Sequence, residues 1–305
     1  MPRDLDPSIS ERNFVLDALR QGLRVDGRVV DQTRDLEITF GDEYGNVDVR
    51  MGKTRVLARI SADIAQPYPN KPFEGFFAIN TSLSPMSSPA HSHSSSAEET
   101  EFHISTLIEK SIRRSQALDT ESLCIVAGKK CWHVRADVHF LDGDGGLLDA
   151  ASIAVMAGLL HFRRPDLRIE GSEVYVYPLS ERVGVPLVLL HTPICTTISY
   201  FPPTLETDPL LPVLDVTLQE ERLRTSELTL TLNTQNELTM IHKAGGAVVP
   251  AHEVLRAARV ASEKCRGVVE LVKRRIVKDE EIRKQDGRGG YFEGEAAEDR
   301  KVRVP

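Results

Sequence analysis

Residues 141–149, LDGDGGLLD, have the residue types of a phosphate-binding turn. A glycine-rich turn leaves a predicted strand and enters an apolar run of helical length. Free N–H groups at a helix N-terminus bind phosphate, usually with help from Lys, Arg, Ser or Thr in the first turn. In place of such helpers, this turn carries leucines and aspartates: Leu147, Leu148, Asp142, Asp144 and Asp149. Carboxylates compete for the N–H groups and repel an incoming anion.

The favoured interpretation of this turn is a self-capped helix over 147–162. The aspartates would accept hydrogen bonds from the first backbone N–H groups, and the glycines would allow a tight turn. The alternative, a phosphate or Mg²⁺ site at the same place, stays open. The helix sequence LLDAASIAVMAGLL is apolar on nearly all sides, which predicts a position in the middle of the core.

A second candidate site is the basic segment IEKSIRRS at 108–115. On a helix, Lys110, Arg113 and Arg114 stand at i, i+3 and i+4, so their charges share one face while neighbouring Ile and Leu residues turn to the core. This spacing predicts a small basic patch on an acidic protein. The alternative is a solvated helix end, because Lys and Arg near a C-terminus also complement the helix dipole.

The cysteines and a pair of histidines give weak metal signals. The cysteine spacing is too irregular for zinc pairs, and a chain of this length does not need disulfide bonds. Reduced thiols in or near the core are therefore predicted at Cys124, Cys131, Cys195 and Cys265. His91 and His93 lie in a Ser- and Pro-rich stretch without a third ligand, which indicates a solvated loop.

Hydrophobic periodicity predicts the elements that position these residues in the first half. A helix over 10–23 with Ser10 as its N-cap precedes an antiparallel meander of strands. A second helix begins with a capping box, either Ser95 with Glu98 or Ser96 with Glu99, and runs to about residue 117. Residues 131–141 alternate between apolar and polar side chains, so they form a strand that leads into the glycine-rich turn.

The second half repeats the order of strands followed by a helix, without a residue-level repeat. Its last strands form a hairpin, ELTLTLNTQNELTMIHKAGG, and Pro250 then starts an amphipathic helix with apolar positions up to Ile276. The predicted organisation is an N-terminal helical arm, two strand-then-helix halves and a charged, disordered tail: residues 1–27, 28–165, 166–277 and 278–305.

Composition excludes several classes of protein. Of the 305 residues, 41% are hydrophobic and 27% are charged, as in ordinary soluble globular proteins. No apolar run approaches a membrane span, and the N-terminal residues lack the apolar centre of a secretory signal, so an intracellular protein is predicted. The formal net charge of -7 argues against a protein that coats nucleic acid over its whole surface, but it allows a local basic patch.

Several long motifs occur in one order over residues 10–275: LRVDGR, EITFG, VDVRMGKTRVLARIS, QPYPNKPFEGFF, IEKSIRRSQALDTESLCI, CWHVRADVHFLDGDGGLLDAASIAVMAGL, and LTLTLN followed by KAGG. Together they resemble the RNase PH family, and most of all its eukaryotic exosome ring subunits of the PM/Scl-autoantigen type. The resemblance implies an α+β, RNase PH-like fold of two βαβα-like halves in one compact unit. It also implies a ring of six such units around a central channel that RNA enters.

Active members of this family cleave RNA from its 3′ end with inorganic phosphate. Their version of the turn reads DGGTRT, and the Thr-Arg-Thr grips phosphate, whereas Leu147, Leu148 and Asp149 stand at those places here. They also hold a metal ion with a pair of aspartates in an EDS stretch, and Glu220 and Glu221 stand in the matching region. A solvated face is the default interpretation of these two glutamates. No catalytic residue, metal or cofactor is therefore expected.

The family uses arginines of the basic segment to hold RNA phosphates, so the resemblance implies RNA binding by Arg113, by Arg114 and, with them, by Lys110. The implied function is a non-catalytic ring subunit of the RNA exosome, which supports 3′-to-5′ RNA processing and degradation, including rRNA maturation. Implied partners are other RNase PH-type subunits in a hetero-hexameric ring, RNA-binding cap subunits, an associated hydrolytic ribonuclease and single-stranded RNA. The implied location is the nucleus, including the nucleolus, and the cytoplasm, without a membrane.

Two alternatives stay open. One is a phosphate-dependent 3′-to-5′ exoribonuclease that is active in its own right. The other is an RNA-free assembly factor, which would be favoured if Arg113 and Arg114 were buried in ion pairs.

Overall fold

Two large β-sheets, one from each half of the chain, pack against the same buried helix. The computed structural model describes residues 7–87, 95–170, 173–179, 181–202 and 210–285. His91 and His93 lie outside these ranges, so their solvated loop stays a prediction. Within the described ranges, no helix is both long enough and apolar enough to span a membrane.

The first sheet contains β1 (Leu36–Phe40), β2 (Asn46–Met51), β3 (Thr54–Ala65), β4 (Phe76–Leu83), β5 (Cys124–Val126) and β6 (Lys130–Asp142). Strands β1 to β3 form the predicted antiparallel meander, β6 pairs with β3 and β5, and β4 runs parallel to β6. Every second residue of β6 from Trp132 to Phe140 is buried, as the alternation predicted, because successive side chains of a strand point to opposite faces.

The N-terminal helix α1 covers Ile9–Arg20 and so ends before residue 23. Its N-cap is Ser8, not the predicted Ser10. The Ser8 hydroxyl accepts from the Glu11 N–H at 3.2 Å, and the Glu11 carboxylate accepts from the Ser8 N–H at 2.9 Å. This capping box needs an acid three residues after the cap, which Ser8 has and Ser10 lacks.

Helix α2 covers Ser95–Glu109, and the next residues, Lys110–Arg114, form one turn of π-helix instead of continuing the predicted α-helix. The Ser111 hydroxyl donates to the carbonyl three residues earlier at 2.8 Å, and the Ala117 N–H donates to the carbonyl five residues earlier at 3.0 Å. A hydroxyl that competes for a helix carbonyl favours a wider turn of this kind. The basic segment is therefore π-helical where the sequence predicted α-helix.

The second sheet is antiparallel, with the strand order β12, β11, β13, β14: β11 (Ile194–Phe201), β12 (Leu211–Leu214), β13 (Ser226–Leu232) and β14 (Leu238–Gly245). Strands β13 and β14 are the predicted hairpin. Two short strand pairs lie outside the large sheets: β7 (Arg163–Arg164) pairs with β10 (Val185–Pro186), and β8 (Leu167–Glu170) pairs with β9 (Glu173–Val176). A one-turn helix, α4, covers Leu218–Glu221.

Helix α3 (Leu147–His161) is the central helix that the sequence predicted. It contacts β3 of the first sheet and β11 of the second, and its residues 149–159 are all buried. Ile194 of β11 and Val269 of the C-terminal helix join the same core cluster as the first sheet. The two halves therefore meet in this cluster, and most of the second sheet packs against α5 in a separate cluster. The N-terminus of α3 lies where the halves meet.

Helix α5 covers Ala251–Gln285. The prediction of a disordered tail from residue 278 is therefore wrong for residues 278–285, which are helical. The physical reason is Arg283, which is 6% exposed and donates to the carbonyls of Gly41 and Asp42 and to the Asp279 carboxylate. These contacts hold the end of the helix on the turn between β1 and β2. Residues 286–305 lie outside the described ranges, so their disorder stays a prediction.

His161 connects the end of α5 to the same turn. It is fully buried, and its Nδ1 accepts from the Gly45 N–H at 3.2 Å. Nε2 therefore carries the ring proton and donates to the Asp279 carboxylate at 3.1 Å. Burial, together with the nearby Arg283 charge, lowers the pKa of His161 from 6.5 to about 4.

The free energy of unfolding is expected to fall as the pH is lowered from 6.5 to about 4, in part because of His161. Between these two pH values, His161 binds a proton in the unfolded chain and stays neutral in the folded chain, so lowering the pH favours unfolding. Above pH 6.5 His161 is neutral in both states and contributes no pH dependence. Urea unfolding of the wild type and of His161→Asn across this window measures the effect. The variant should show a shallower pH dependence, and equal slopes would contradict the assignment.

Candidate functional site

The glycine-rich turn between β6 and α3 has a backbone conformation and close neighbours that favour glycine. Gly145 and Gly146 have φ angles of 76° and 65°, and Gly146 is the N-cap of α3. A Cβ at Gly145 would lie 2.7 Å from the Val216 carbonyl oxygen, and a Cβ at Gly146 would lie 2.8 Å from the Arg34 guanidinium. The glycines thus allow both neighbours to pack directly against the turn.

Arg34 and Thr54 hold this turn through its carbonyl groups. Arg34 donates to the Asp144 carbonyl at 2.7 Å and to the Gly145 carbonyl at 3.1 Å, and the Thr54 hydroxyl donates to the Gly145 carbonyl at 2.8 Å. The same guanidinium forms an ion pair with Asp215 at 2.7 Å. The arginine beside the turn is therefore engaged by groups of the chain itself.

Asp149 does not cap α3, so the predicted self-capped helix is wrong. The N-cap Gly146 makes no side-chain hydrogen bond, and the Asp149 carboxylate instead accepts from the Thr197 N–H at 2.8 Å and hydroxyl at 2.7 Å. Asp144 accepts from the Leu218 N–H of α4 at 3.4 Å. The donors lie 48 and 74 residues along the chain, so the local sequence did not reveal them.

A cavity of about 120 Å³ opens beside the first turn of α3. Its lining includes the carboxylates of Asp149, Asp215, Glu221 and Glu227. Arg224 of the same lining is already paired, at 2.9 Å with Glu221 and at 2.6 Å with Glu227. Burial raises the pKa of Asp149 to about 7 and also raises the pKa of Glu221. Carboxylates outnumber arginines here, so the cavity is a poor site for phosphate.

Glu220 is not part of a solvated face, so that interpretation is wrong for this residue. It is 1% exposed, and Arg24 binds its two carboxylate oxygens at 3.0 Å and 2.5 Å. Glu221 is only partly exposed and is paired with Arg224. Among the residues that the structure describes, no group of three or more His, Cys, Asp or Glu side chains could hold a metal ion.

Sequence reasoning missed the arginines at 24–34 and their partner Asp215. Arg28 and Arg34 both pair with the Asp215 carboxylate, at 3.1 Å and 2.7 Å, and Arg24 donates to the Asp215 carbonyl at 2.8 Å. The sequence feature that could have indicated them is the series Arg24, Arg28 and Arg34 in a stretch without helical or strand periodicity. Such arginines need partners elsewhere in the chain when they are buried.

Arg113 and Arg114 are exposed and line a groove of about 600 Å³. Arg113 forms an ion pair with Glu109 at 2.9 Å, and Arg114 has no ion pair with any described residue. Lys110 lies apart from them, near His242 of β14, where its charge contributes to a lowered His242 pKa after the larger effects of burial and of His103. Lys110 is not among the residues that line the groove, so its place on a shared basic face stays a prediction.

The groove also contains aromatic side chains, which sequence reasoning missed. Tyr68 is 64% exposed and meets Phe76 edge to face, with ring centroids 4.5 Å apart. Lys71 on the same groove is paired with Glu74 at 2.7 Å. The sequence feature that could have indicated these aromatic side chains is the loop QPYPNKPFEGFF. An exposed ring beside arginines suits single-stranded nucleic acid, because bases stack on rings while phosphates pair with cations.

Comparison with known proteins identifies the family. The RNase PH profile described as "3' exoribonuclease family, domain 1" matches residues 32–165, and the profile of "3' exoribonuclease family, domain 2" matches residues 191–264. The chain belongs to the RNase PH family. Both the family and the α+β, RNase PH-like fold predicted from the sequence are thereby confirmed.

Curated relatives are exosome subunits. "Exosome complex component RRP45" of Saccharomyces cerevisiae is 48% identical over 290 residues, which cover 93% of this chain and 95% of the relative. The Schizosaccharomyces pombe protein of the same name is 47% identical over 297 residues, which cover 97% of this chain and 99% of the relative. The Danio rerio protein is 39% identical over 95% of this chain and 72% of its own. The predicted similarity to exosome subunits is confirmed.

Solved structures agree with this similarity. A chain of the Archaeoglobus fulgidus exosome "with RNA bound to the active site" superposes with a TM-score of 0.72 at 25% identity, over 86% of this chain and 97% of its own. A chain of an "archaeal exosome core" superposes with a TM-score of 0.69 at 26% identity, over 87% and 96%.

Proposed function

We propose that this chain is a non-catalytic ring subunit of an RNA exosome. It supports 3′-to-5′ RNA processing and degradation, including rRNA maturation and RNA turnover, by structural assembly and by guiding RNA through a central channel. The observation that supports the lack of catalysis is the first turn of α3, where Asp149 and two leucines stand beside a cavity rich in carboxylates. The subunit has no catalytic residue and uses no metal or cofactor.

RNA binds this subunit along the groove lined by Arg113, Arg114 and Tyr68. The two guanidinium groups hold phosphates and the tyrosine ring stacks on a base, so binding depends on charge and stacking more than on base sequence. Lys110 adds positive charge from the neighbouring side of the same segment. Both arginines are exposed, which is the opposite of the buried ion pairs expected of an RNA-free assembly factor.

The partners are other RNase PH-type subunits in a hetero-hexameric ring, RNA-binding cap subunits, an associated hydrolytic ribonuclease and single-stranded RNA. The complex works in the nucleus, including the nucleolus, and in the cytoplasm. The fold shared with archaeal exosome chains and the similarity to exosome components support the ring of exosome subunits.

The purified chain is expected to release no nucleoside diphosphates from single-stranded RNA in the presence of inorganic phosphate. The helix N-terminus that would hold phosphate faces carboxylates, and its nearby arginine is already paired. Chromatography of the products, with a phosphorolytic RNase PH-type enzyme as the positive control, measures the release. Phosphate-dependent release that disappears in Asp149→Ala would show instead that the chain is an exoribonuclease.

A further inference from the structure

Two of the cysteines lie directly opposite each other on paired strands. Cys124 of β5 and Cys131 of β6 are register partners in an antiparallel ladder. Opposed residues of such a ladder have Cα atoms about 4.5–5.5 Å apart and side chains on the same face. A disulfide needs Cα atoms about 4.4–6.8 Å apart, which is the spacing of directly opposed residues. The register of β5 shifts between Cys124 and Val126, next to this pair.

The two thiols differ in their access to solvent. Cys124 is partly exposed, with its Sγ 4.0 Å from the Pro72 carbonyl, whereas Cys131 is fully buried, with its Sγ 3.5 Å from the Ala65 carbonyl. Burial raises the pKa of Cys131, and the nearby Cys124 thiol raises it further. One member of the pair is thus open to a reagent, and the other lies behind it.

The other cysteines have no such partner. Cys195 of β11 contacts the Thr231 hydroxyl, and Cys265 of α5 contacts the Leu232 carbonyl. Both are buried, and they serve as internal references within the same chain.

We propose that Cys124 and Cys131 form a reversible, oxidant-responsive disulfide site, with a small-molecule disulfide such as glutathione disulfide as the oxidant. The Cys124 thiolate attacks one glutathione sulfur, forms a mixed disulfide and releases the first glutathione thiolate. The Cys131 thiolate then attacks the Cys124 sulfur and releases the second. The two cysteine protons pass to the two glutathione thiolates, and the two electrons that reduce glutathione disulfide come from the protein dithiol.

This site lies beside the groove that contains the two arginines. The 3₁₀ turn Glu121–Leu123 leads directly into β5, and Glu121 lines the groove. The neighbouring Thr120 carbonyl accepts from the Gly75 N–H at 2.9 Å, which ties this wall to the loop that carries Tyr68. A covalent bond between β5 and β6 would fix the wall to the body of the first sheet.

The test exposes the folded, full-length chain to glutathione disulfide, blocks the remaining thiols by alkylation under denaturing conditions and maps peptides by mass. The expected product is a peptide pair linked through Cys124 and Cys131, with Cys195 and Cys265 alkylated. In Cys131→Ser, glutathione should stay on Cys124, at a level at least about tenfold above that in the wild type, because the resolving thiol is missing.

The variant Cys124→Ser gives the converse result. Its Cys131 should remain a free thiol, since it is fully buried. The circular dichroism spectrum of each variant reports whether it is folded, and the wild-type experiment decides the question alone if a variant does not fold. A wild-type chain that keeps glutathione on Cys124, or that keeps both thiols free, would overturn the proposal.

Discussion

Changing Arg113 and Arg114 together to glutamate is expected to weaken the binding of single-stranded RNA at least about tenfold and to make binding less dependent on salt. Each cation that neutralises one phosphate of a single strand contributes about 0.7 to the slope of log K against log salt concentration, so two lost contacts lower the slope by about 1.4. Fluorescence anisotropy of a labelled RNA, measured over a series of salt concentrations with the subunit in its assembled complex, gives both quantities.

The matched control reverses two other charges of the same kind. Arg259 and Arg266 are exposed on α5, away from the groove, so Arg259→Glu with Arg266→Glu changes the net charge equally and removes no proposed contact. Equal losses in the two double variants would show that net charge alone matters. Unchanged affinity and slope in the Arg113 and Arg114 variant would place the RNA path elsewhere.

Tyr68→Ala separates stacking from charge in the same groove. Loss of one stacked base costs about 1–3 kcal/mol, and it should leave the salt slope unchanged because no cation is removed. Phe73→Ala is its control, since Phe73 is also 64% exposed but does not line the groove. A salt slope that falls in Tyr68→Ala would mean that the tyrosine positions an arginine and does not stack on RNA.

The parts of the fold that depend on local pattern were predictable from the sequence. The alternation along β6 identified its buried face, and the apolar sequence of α3 identified the central helix, because both patterns follow from the geometry of a single element. The hairpin of β13 and β14 was predictable for the same reason. The family resemblance then gave the arrangement of these elements, which periodicity alone does not determine.

The parts that depend on distant partners were not predictable. Glu220 looked like a surface acid because nothing near it in sequence suggests burial, and its partner Arg24 lies 196 residues away. Asp149 stands where a capping residue is expected, but its carboxylate accepts hydrogen bonds from the N–H and the hydroxyl of Thr197. In each case one long-range or side-chain contact changed the local expectation.

The glycine-rich turn before α3 and the first turn of that helix are held by charged side chains of the chain itself, Arg34 and Asp149. Arg34 binds the turn carbonyls and Asp215, while the Asp149 carboxylate takes the N–H and hydroxyl of Thr197. The first contact joins the turn to the segment before β1, and the second joins α3 to the second sheet. These ion pairs and hydrogen bonds therefore hold the two halves together at the glycine-rich turn. The same reasoning makes the arginines at 24–34 structural residues.

Arg24→Met is expected to destabilise the folded chain by about 3–5 kcal/mol, because it leaves the buried Glu220 carboxylate without its cation. Arg24 and Glu220 have side chains that are 0% and 1% exposed, and Arg24 also donates to the carbonyls of Leu214 and Asp215 at 2.9 Å and 2.8 Å. Both carbonyls would lose this donor, and the Asp215 carbonyl would keep only the Arg28 guanidinium at 3.1 Å. Urea unfolding of the purified chain, followed by circular dichroism, measures the change in the free energy of unfolding.

Arg274→Met is the matched control, since it removes the same side chain from an exposed ion pair. Arg274 and Glu270 lie one turn apart on α5 with side chains 76% and 68% exposed, and such pairs contribute at most about 0.5 kcal/mol. Adding Glu220→Leu to Arg24→Met should recover part of the loss, because the unpaired buried charge is then gone. If Arg24→Met cost no more than Arg274→Met, the buried pair would not stabilise the fold.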